Sequence, residues 1–265
     1  MEVGWRRRDG ATVIERLFQS GSSKARCPRD PDRGCPDVAL LNTAGGLTGG
    51  DRQDTLVRWA PDTCAGATTQ AAERVYRSAG GKARVTTALD VGDRAFAEWL
   101  PQETILFESA ALDRGLLLGL TGSGQALALE TLVFGRTAMG ERLARVDLSD
   151  RIEIRRDGQL QWLDVTRLAT PADTVLLGGA LGGGSLAVAT LIYAAPDAPA
   201  LLPALRTCLD GIAVPAAATA LDGLVVMRFH HSDTASLRRS LVQVVGRVRA
   251  TVAALPPRLP RLWHS

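Results

Sequence analysis

Carboxylates are the abundant reactive groups of this chain. Glu98, Glu103, Glu108, Glu130 and Glu141 each lie in or beside apolar runs, where an ionised acid is costly to bury unless it meets a partner, a hydrogen bond or a cation. Most are expected to face solvent or pair with arginine. Other reactive types are sparse. With three histidines (His230, His231 and His264) and no G-x-S-x-G motif, a nucleophilic triad has no basis. His230 and His231 fall in a strand-like run, where neighbouring side chains face opposite ways, so the pair does not ligate one ion together. One of them as a surface metal ligand and both as satisfied or solvated rings stay open. The four cysteines, Cys27, Cys35, Cys64 and Cys208, form no C-x-x-C pair, and the seven residues between Cys27 and Cys35 are not a zinc spacing. They read as reduced thiols.

The segment LLNTAGGLTGGDR (40–52) holds four glycines and an aspartate. A Walker loop needs G-x-x-x-x-G-K-[ST], and a dinucleotide loop needs G-x-G-x-x-G between a strand and a helix. Neither spacing occurs, Asp51 repels a phosphate, and the run that follows is strand-like, so no helix N-terminus is aimed at an anion. Two readings remain. One is a turn in which Asp51 bonds nearby amides; the other is a contact surface for a second protein.

These residues must be held by a fold that the composition permits. The 265 residues are 46% apolar with a net charge of +3, and their arginines alternate with acids, so a large core is available and a nucleic-acid footprint is not. Arg6, Arg7 and Arg8 have no apolar stretch after them and read as a solvated strand; with no export signal, the cytoplasm is expected. Residues 175–195 carry no charge but are broken by five glycines, which favours two buried strands and a glycine turn over a bilayer span.

Short β-type runs ended by Gly, Asp or Pro dominate. In RIEIRRDGQLQW (151–162), Asp157-Gly158 between alternating segments predicts a type I′ hairpin. The spacing of the other runs suits antiparallel pairing rather than βαβ units. Helical periodicity is confined to the end of the chain. Leu237, Leu241, Val244, Val245, Val248 and Val252 form one stripe, with Ser232, Asp233 or Ser236 as its cap, and a shorter helix fits 201–211. Residues 20–37 read as a long, poorly ordered loop. The expectation is one domain over 1–265, mostly β, with layered antiparallel or mixed sheets and one or two helices towards the C-terminus.

Several segments together resemble the UreD (UreH) family of urease accessory proteins. They are LLNTAGGLTGGD (40–51), TTQAAERVYRS (68–78), WLPQETILFESA (99–110), FGRTAMGE (134–141), DRIEIRRDGQL (150–160) and LPRLW (259–263), in the family's order. The resemblance implies a mostly β fold of stacked layers with two helices. It also implies a scaffold without catalysis, which binds apo-urease, recruits UreF and, through it, the GTPase UreG, and helps nickel reach the urease active site. No tightly bound cofactor is expected; nickel is cargo in transit. Family members are pictured as conducting it through an internal tunnel. Isolated carboxylates, hydroxyls and waters suit such a path, because a closed thiolate and imidazole set would hold the ion too tightly. Within the matching motifs this points to Asp51, Thr68, Thr69, Glu103 and Glu141 as lining residues. The CPRDPDRGC loop and the His230-His231 pair stand outside the resemblance. The alternative is a carboxylate-dependent β-rich hydrolase, which needs two facing carboxyl groups, one with a raised pKa.

Overall fold

The computed structural model describes residues 1–136, 140–141, 143–169, 171–178 and 182–264. Two sheets dominate. The first has seven strands in the order β14 (Gln159–Leu168), β13 (Val146–Arg156), β11 (Ala110–Leu120), β8 (Ala83–Val91), β5 (Arg52–Trp59), β1 (Glu2–Arg8) and β2 (Ala11–Phe18). The second runs β16 (Ala216–Leu221), β17 (Leu224–His231), β15 (Ala187–Ala194), β12 (Gln125–Phe134), β9 (Phe96–Leu100), β6 (Cys64–Thr69), β4 (Asp37–Asn42) and β3 (Ser23–Arg26). Two short strands, β7 (Glu73–Val75) and β10 (Thr104–Leu106), branch from it, with β10 beside β12.

Parallel neighbours need a long crossover, commonly a helix. Here a strand of the opposite sheet does that work: the chain passes from β5 to β6, from β8 to β9 and from β11 to β12, changing layer each time. The centres of both sheets are therefore parallel, at β5–β8, β8–β11, β11–β13, β4–β6, β6–β9 and β9–β12. Antiparallel pairs occur at the flanks, among them β1–β2, β3–β4 and β13–β14. The spacing of strands anticipates the layers and not this parallel order. The β13–β14 hairpin does turn on Asp157 and Gly158, with φ of 49° and 78°.

Alternating side chains fill the space between the sheets. Trp5, Trp59, Leu89, Leu118 and Ile154 from the first layer meet Val38, Ala67, Ala97 and Ala128 from the second. The outer face of the second sheet is covered by α2 (Leu202–Thr207) and α3 (Thr234–Ala253). α3 begins where the Asp233 carboxylate accepts from the Ala235 and Ser236 amides, and it buries Leu237, Leu241, Val244, Val245 and Val248. Each such side chain is worth about 1.5–3 kcal/mol of burial. A third helix, α1 (Ala172–Leu177), replaces the first of the two strands expected in 175–195; β15 supplies the second. Apolar runs this short do not distinguish helix from strand by period, and residues 179–181 lie outside those described.

Residues 20–37 are not the loose loop that their prolines and charges suggest. They contain β3 and a 3-10 turn at Pro31–Arg33. Arg33 is fully buried, and its guanidinium grips Asp37 through two bonds of 2.8 and 2.9 Å and Glu98 at 2.6 Å. Arg249 of α3, also fully buried, donates to the other Glu98 oxygen at 2.6 Å and to the Arg33 carbonyl at 2.6 Å. Burial opposes the charge on Arg33, but Glu98 and Asp37 outweigh it and hold its pKa above the usual arginine value. Gly66 makes room: a Cβ there falls 2.2 Å from Asp37 Oδ1.

Breaking such a buried set by deleting one partner leaves an uncompensated charge, at about 3–5 kcal/mol. Glu98→Ala should lower unfolding free energy by that amount in a urea titration. Asp32→Ala, which removes an exposed pair with Arg258, should change it by about 0–1 kcal/mol.

Candidate functional site

The second sheet is interrupted along one line. β12 runs through without a break, pairing with β9 over Gln125–Ala128 and with β10 over Leu132–Phe134. Beside it, β9 and β10 are separated by Pro101-Gln102-Glu103, β6 and β7 by Gln70-Ala71-Ala72, and β4 is followed by the glycine segment. Proline has no N–H for a ladder, and the other backbone groups exposed by the gap need partners. Gln102 supplies several. Its amide donates to Thr69 Oγ1 at 2.9 Å, and its side chain donates to the carbonyls of Gln70 at 2.9 Å and Leu262 at 3.0 Å.

The glycine segment closes the far side of the gap. Leu47 exchanges hydrogen bonds of 2.7 and 2.8 Å with Arg74 and Tyr76. A Cβ on Gly46 falls 2.3 Å from the Tyr76 ring, and one on Gly49 falls 2.1 Å from Ser78 Oγ. These glycines admit the TTQAAERVYRS segment, not an anion.

Two cavities flank β12. One, of about 220 Å³, lies in the gap and is lined by Asn42, Thr69, Gln70, Glu73, Gln102 and Thr104 among others. The other, of about 490 Å³, lies between the sheets beside α1 and is lined by Asp150, Asp164, Ser185, Arg228 and His230 among others. Arg114 and Glu130 line both.

These two residues meet through sheet register. Arg114 of β11 is the direct partner of Asp150 of β13; its guanidinium bonds the Asp150 oxygens at 2.8 and 2.7 Å, Thr104 Oγ1 at 2.9 Å, and forms an ion pair with Glu130 Oε2 at 2.8 Å. Trp99 Nε1 donates to the remaining Glu130 oxygen at 2.8 Å. Burial raises the Glu130 pKa, helped by the Asp150 charge and resisted by Arg114. Asp150 and Glu130 thus resemble the facing acids of a hydrolase, but every one of their oxygens already accepts a bond or an ion pair, and Arg114 stands between them.

Of the five residues drawn from the motifs, Thr69 lines the gap cavity. Thr68 is fully buried and donates to the Leu100 carbonyl at 2.7 Å. Asp51 accepts from the Thr48 amide at 2.8 Å and closes the glycine turn. Glu103 binds Arg238 of α3 at 2.8 and 3.0 Å. Glu141 is held by Arg136, including a bond of 2.9 Å, and that contact keeps its carboxyl below the usual range. All five glutamates singled out in the sequence pair with an arginine. His230 reaches the larger cavity with Nδ1 2.8 Å from Ser185 Oγ, whereas His231 Nδ1 accepts from the Asp233 amide at 2.9 Å.

Arg114, Asp150 and Asp164 were not anticipated as a site, although a signal was present. Along β12, Glu130 follows Ala126 and Ala128 on the inter-sheet face; Arg114 lies between Leu112 and Leu116, and Asp150 between Leu148 and Ile152. One charge in the middle of each apolar column, of complementary sign, marks a shared buried level.

The architecture and the paired acids define a layered β protein with a polar gap in one of its sheets. The UreD urease accessory protein family model matches residues 1–264. Proteins named urease accessory protein UreD are similar over most of the chain. That of Chelativorans sp. (strain BNC1) is 44% identical over 97% of this chain and 90% of its own length, and that of Jannaschia sp. (strain CCS1) is 43% identical over 94% and 90%. This chain belongs to the UreD family, and its role is in urease maturation. Among the described residues, no helix is long and apolar enough to cross a membrane.

Glu73 gives the site a measurable electrostatic signature. Burial raises its pKa, against the opposing bonds from Asn42 Nδ2 at 3.1 and 3.2 Å. The folded state therefore holds this proton more tightly than the unfolded chain, and stability falls as pH rises from the ordinary glutamate range through the raised value. Glu73→Gln should raise the thermal midpoint at neutral pH, with the gain shrinking as pH is lowered into the carboxylate range.

Proposed function

We propose that the protein is a non-catalytic scaffold of urease maturation: it binds apo-urease and the UreF and UreG accessory proteins, and nickel crosses it on the way to the urease active site. The observation that carries this reading is the pair of cavities that share Arg114 and Glu130 in their walls. From Asn42, Thr69 and Glu73 at one end, past Glu130 and Asp150, to Asp164 and His230 at the other, the donors are mostly oxygen. Scattered oxygen ligands hold a divalent ion weakly enough for release, which thiolate or multiple imidazole ligands do not.

Arg114 is the narrow point of this route. Its charge opposes the rise that burial gives the Glu130 pKa, and it occupies the position that a cation passing those acids has to take. Transfer then involves an exchange, in which the guanidinium moves off the carboxylates as the ion arrives. The exposed apolar side chains Leu117, Leu163 and Val165 provide partner surface on the outer face of the first sheet: Leu117 and Leu163 flank Glu153 in register. The accessory names of the relatives and the saturated acids support a role without bond-breaking chemistry.

Co-expression with the urease operon tests the reading. Glu130→Gln and Glu73→Gln should each lower the nickel content of purified urease at matched scaffold levels while leaving co-purification with UreF and apo-urease intact. If the folded protein binds neither partner, and its deletion leaves urease fully nickel-loaded, the scaffold role fails. If binding persists and both variants load urease normally, the route through Glu130 fails.

A further inference from the structure

The buried charge cluster under α3 contains thiols that the polar passage does not use. Cys35 lies two residues before Asp37 and Cys64 two before Gly66, and Asp37 and Gly66 are register partners on β4 and β6. The Gly66 amide donates to the Pro36 carbonyl at 2.9 Å, which carries the pairing back towards both cysteines. Neighbouring strands are separated by ~4.8 Å, within the span of about 4.4–6.8 Å between Cα atoms that a disulfide bridges. Carried two residues back, this register sets the Cys35 and Cys64 side chains on the same side of neighbouring chain segments.

Their surroundings differ. Cys35 is buried, with Sγ 3.6 Å from Glu98 Oε2 and accepting from Arg249 Nη2 at 3.3 Å. Cys64 is half-buried, and its amide donates to Thr12 Oγ1 at 3.1 Å. The neighbouring Cys35 thiol lowers the Cys64 pKa against the pull of burial, with Arg249 and Arg33 assisting, while Cys64 and burial push Cys35 up. Access therefore falls on Cys64, with the buried Cys35 beside it, the arrangement in which an accessible sulfur has a resolving thiol as neighbour.

A metal is a poorer fit to the same groups. Donor atoms of Cys35, Asp37 and Glu98 lie within 4.8 Å of one another, but Arg33 and Arg249 already neutralise both carboxylates. A divalent ion would enter beside two buried guanidinium charges.

We propose that Cys35 and Cys64 are a peroxide-reactive dithiol that closes to a reversible intramolecular disulfide. The Cys64 thiolate attacks one oxygen of hydrogen peroxide, the O–O bond breaks, and the departing hydroxide takes up a proton to become water, leaving Cys64 as the sulfenic acid. The Cys35 sulfur then attacks the Cys64 sulfur. The S–S bond forms as the S–O bond breaks, and the hydroxyl leaves with the Cys35 proton as a second water. Two thiols are oxidised and one peroxide is reduced. Because Cys35 touches Glu98 and Arg249, the redox state of the pair is coupled to the charge cluster that joins residues 33–37 to α3.

The test is hydrogen peroxide treatment of the full-length native protein, followed by denaturation, alkylation and mass spectrometry. The expected result is loss of two alkylatable thiols, a mass lower by two hydrogen atoms, and a Cys35–Cys64 linked peptide, all reversed by dithiothreitol. Cys35→Ser should stop the reaction at a Cys64 sulfenic acid trapped by dimedone, and Cys64→Ser should leave Cys35 a thiol. The wild-type mass measurement stands even if either variant misfolds. A link through Cys27 or Cys208 instead, over-oxidation of Cys64 without a link, or four intact thiols at peroxide levels that oxidise free glutathione would each overturn the proposal.

Discussion

The constraint on which the rest of the structure depends is the break in the second sheet beside β12. A sheet continuous from β4 to β12 would pair every backbone group and leave no polar room inside the layer. Pro101 and the residues 70–72 and 101–103 prevent that continuity, and the freed carbonyls and amides then need other partners, several of them side chains. Thr69 and Gln102 answer within the gap, while Asn42 holds Glu73 at its edge. The polar residues of the TTQAAE and PQE segments are thus required by the geometry of the break before any question of cargo arises. The glycines at 46 and 49 belong to the same requirement, because the chain that seals the gap passes too close to Tyr76 and Ser78 for a side chain.

Two buried charge sets follow from this layout, and they differ in kind. Around Glu98, two arginines and two acids balance, and the set joins residues 33–37 to α3 across more than two hundred positions of sequence. Its bonds reach backbone carbonyls as well, including Arg33 from Arg249. Around Arg114, one cation serves two acids at the boundary of two cavities. The first set has little freedom without loss of the fold. The second borders open volume, where Asp164, Arg167 and Arg228 join it along the wall of the larger cavity.

What the sequence disclosed tracks how local the physics is. The Asp157-Gly158 turn and the Asp233-capped stripe of α3 depend on a few adjacent residues, and both were legible. The parallel order of β5, β8, β11 and β13 depends on which run pairs with which, and a period of two says nothing about that. Residues 20–37 read as a long loop because Arg33 and Asp37 meet Glu98 and Arg249 only in the folded chain. The same holds for the site. Asp51 and Glu141 stood in recognisable motifs yet hold turns, whereas Glu130 and Arg114 stood in apolar runs and reach the cavities. A motif marks where the chain is constrained and does not say whether the constraint is a turn or a ligand.

The chemistry of the Arg114 level also bears on why a permanent metal site is not needed there. A vacant pair of buried acids would draw in a proton, since burial and mutual repulsion both favour the neutral form. It would then offer a passing ion one ligand fewer. A tethered guanidinium opposes that neutral form by pairing with both acids inside the fold. On the proposed route an incoming cation would have to outcompete an arginine that remains attached and can return once the ion has gone. If an ion takes that route, weak net binding follows from the exchange as well as from the oxygen ligands, and the fit of Arg114 to Asp150 in strand register governs it.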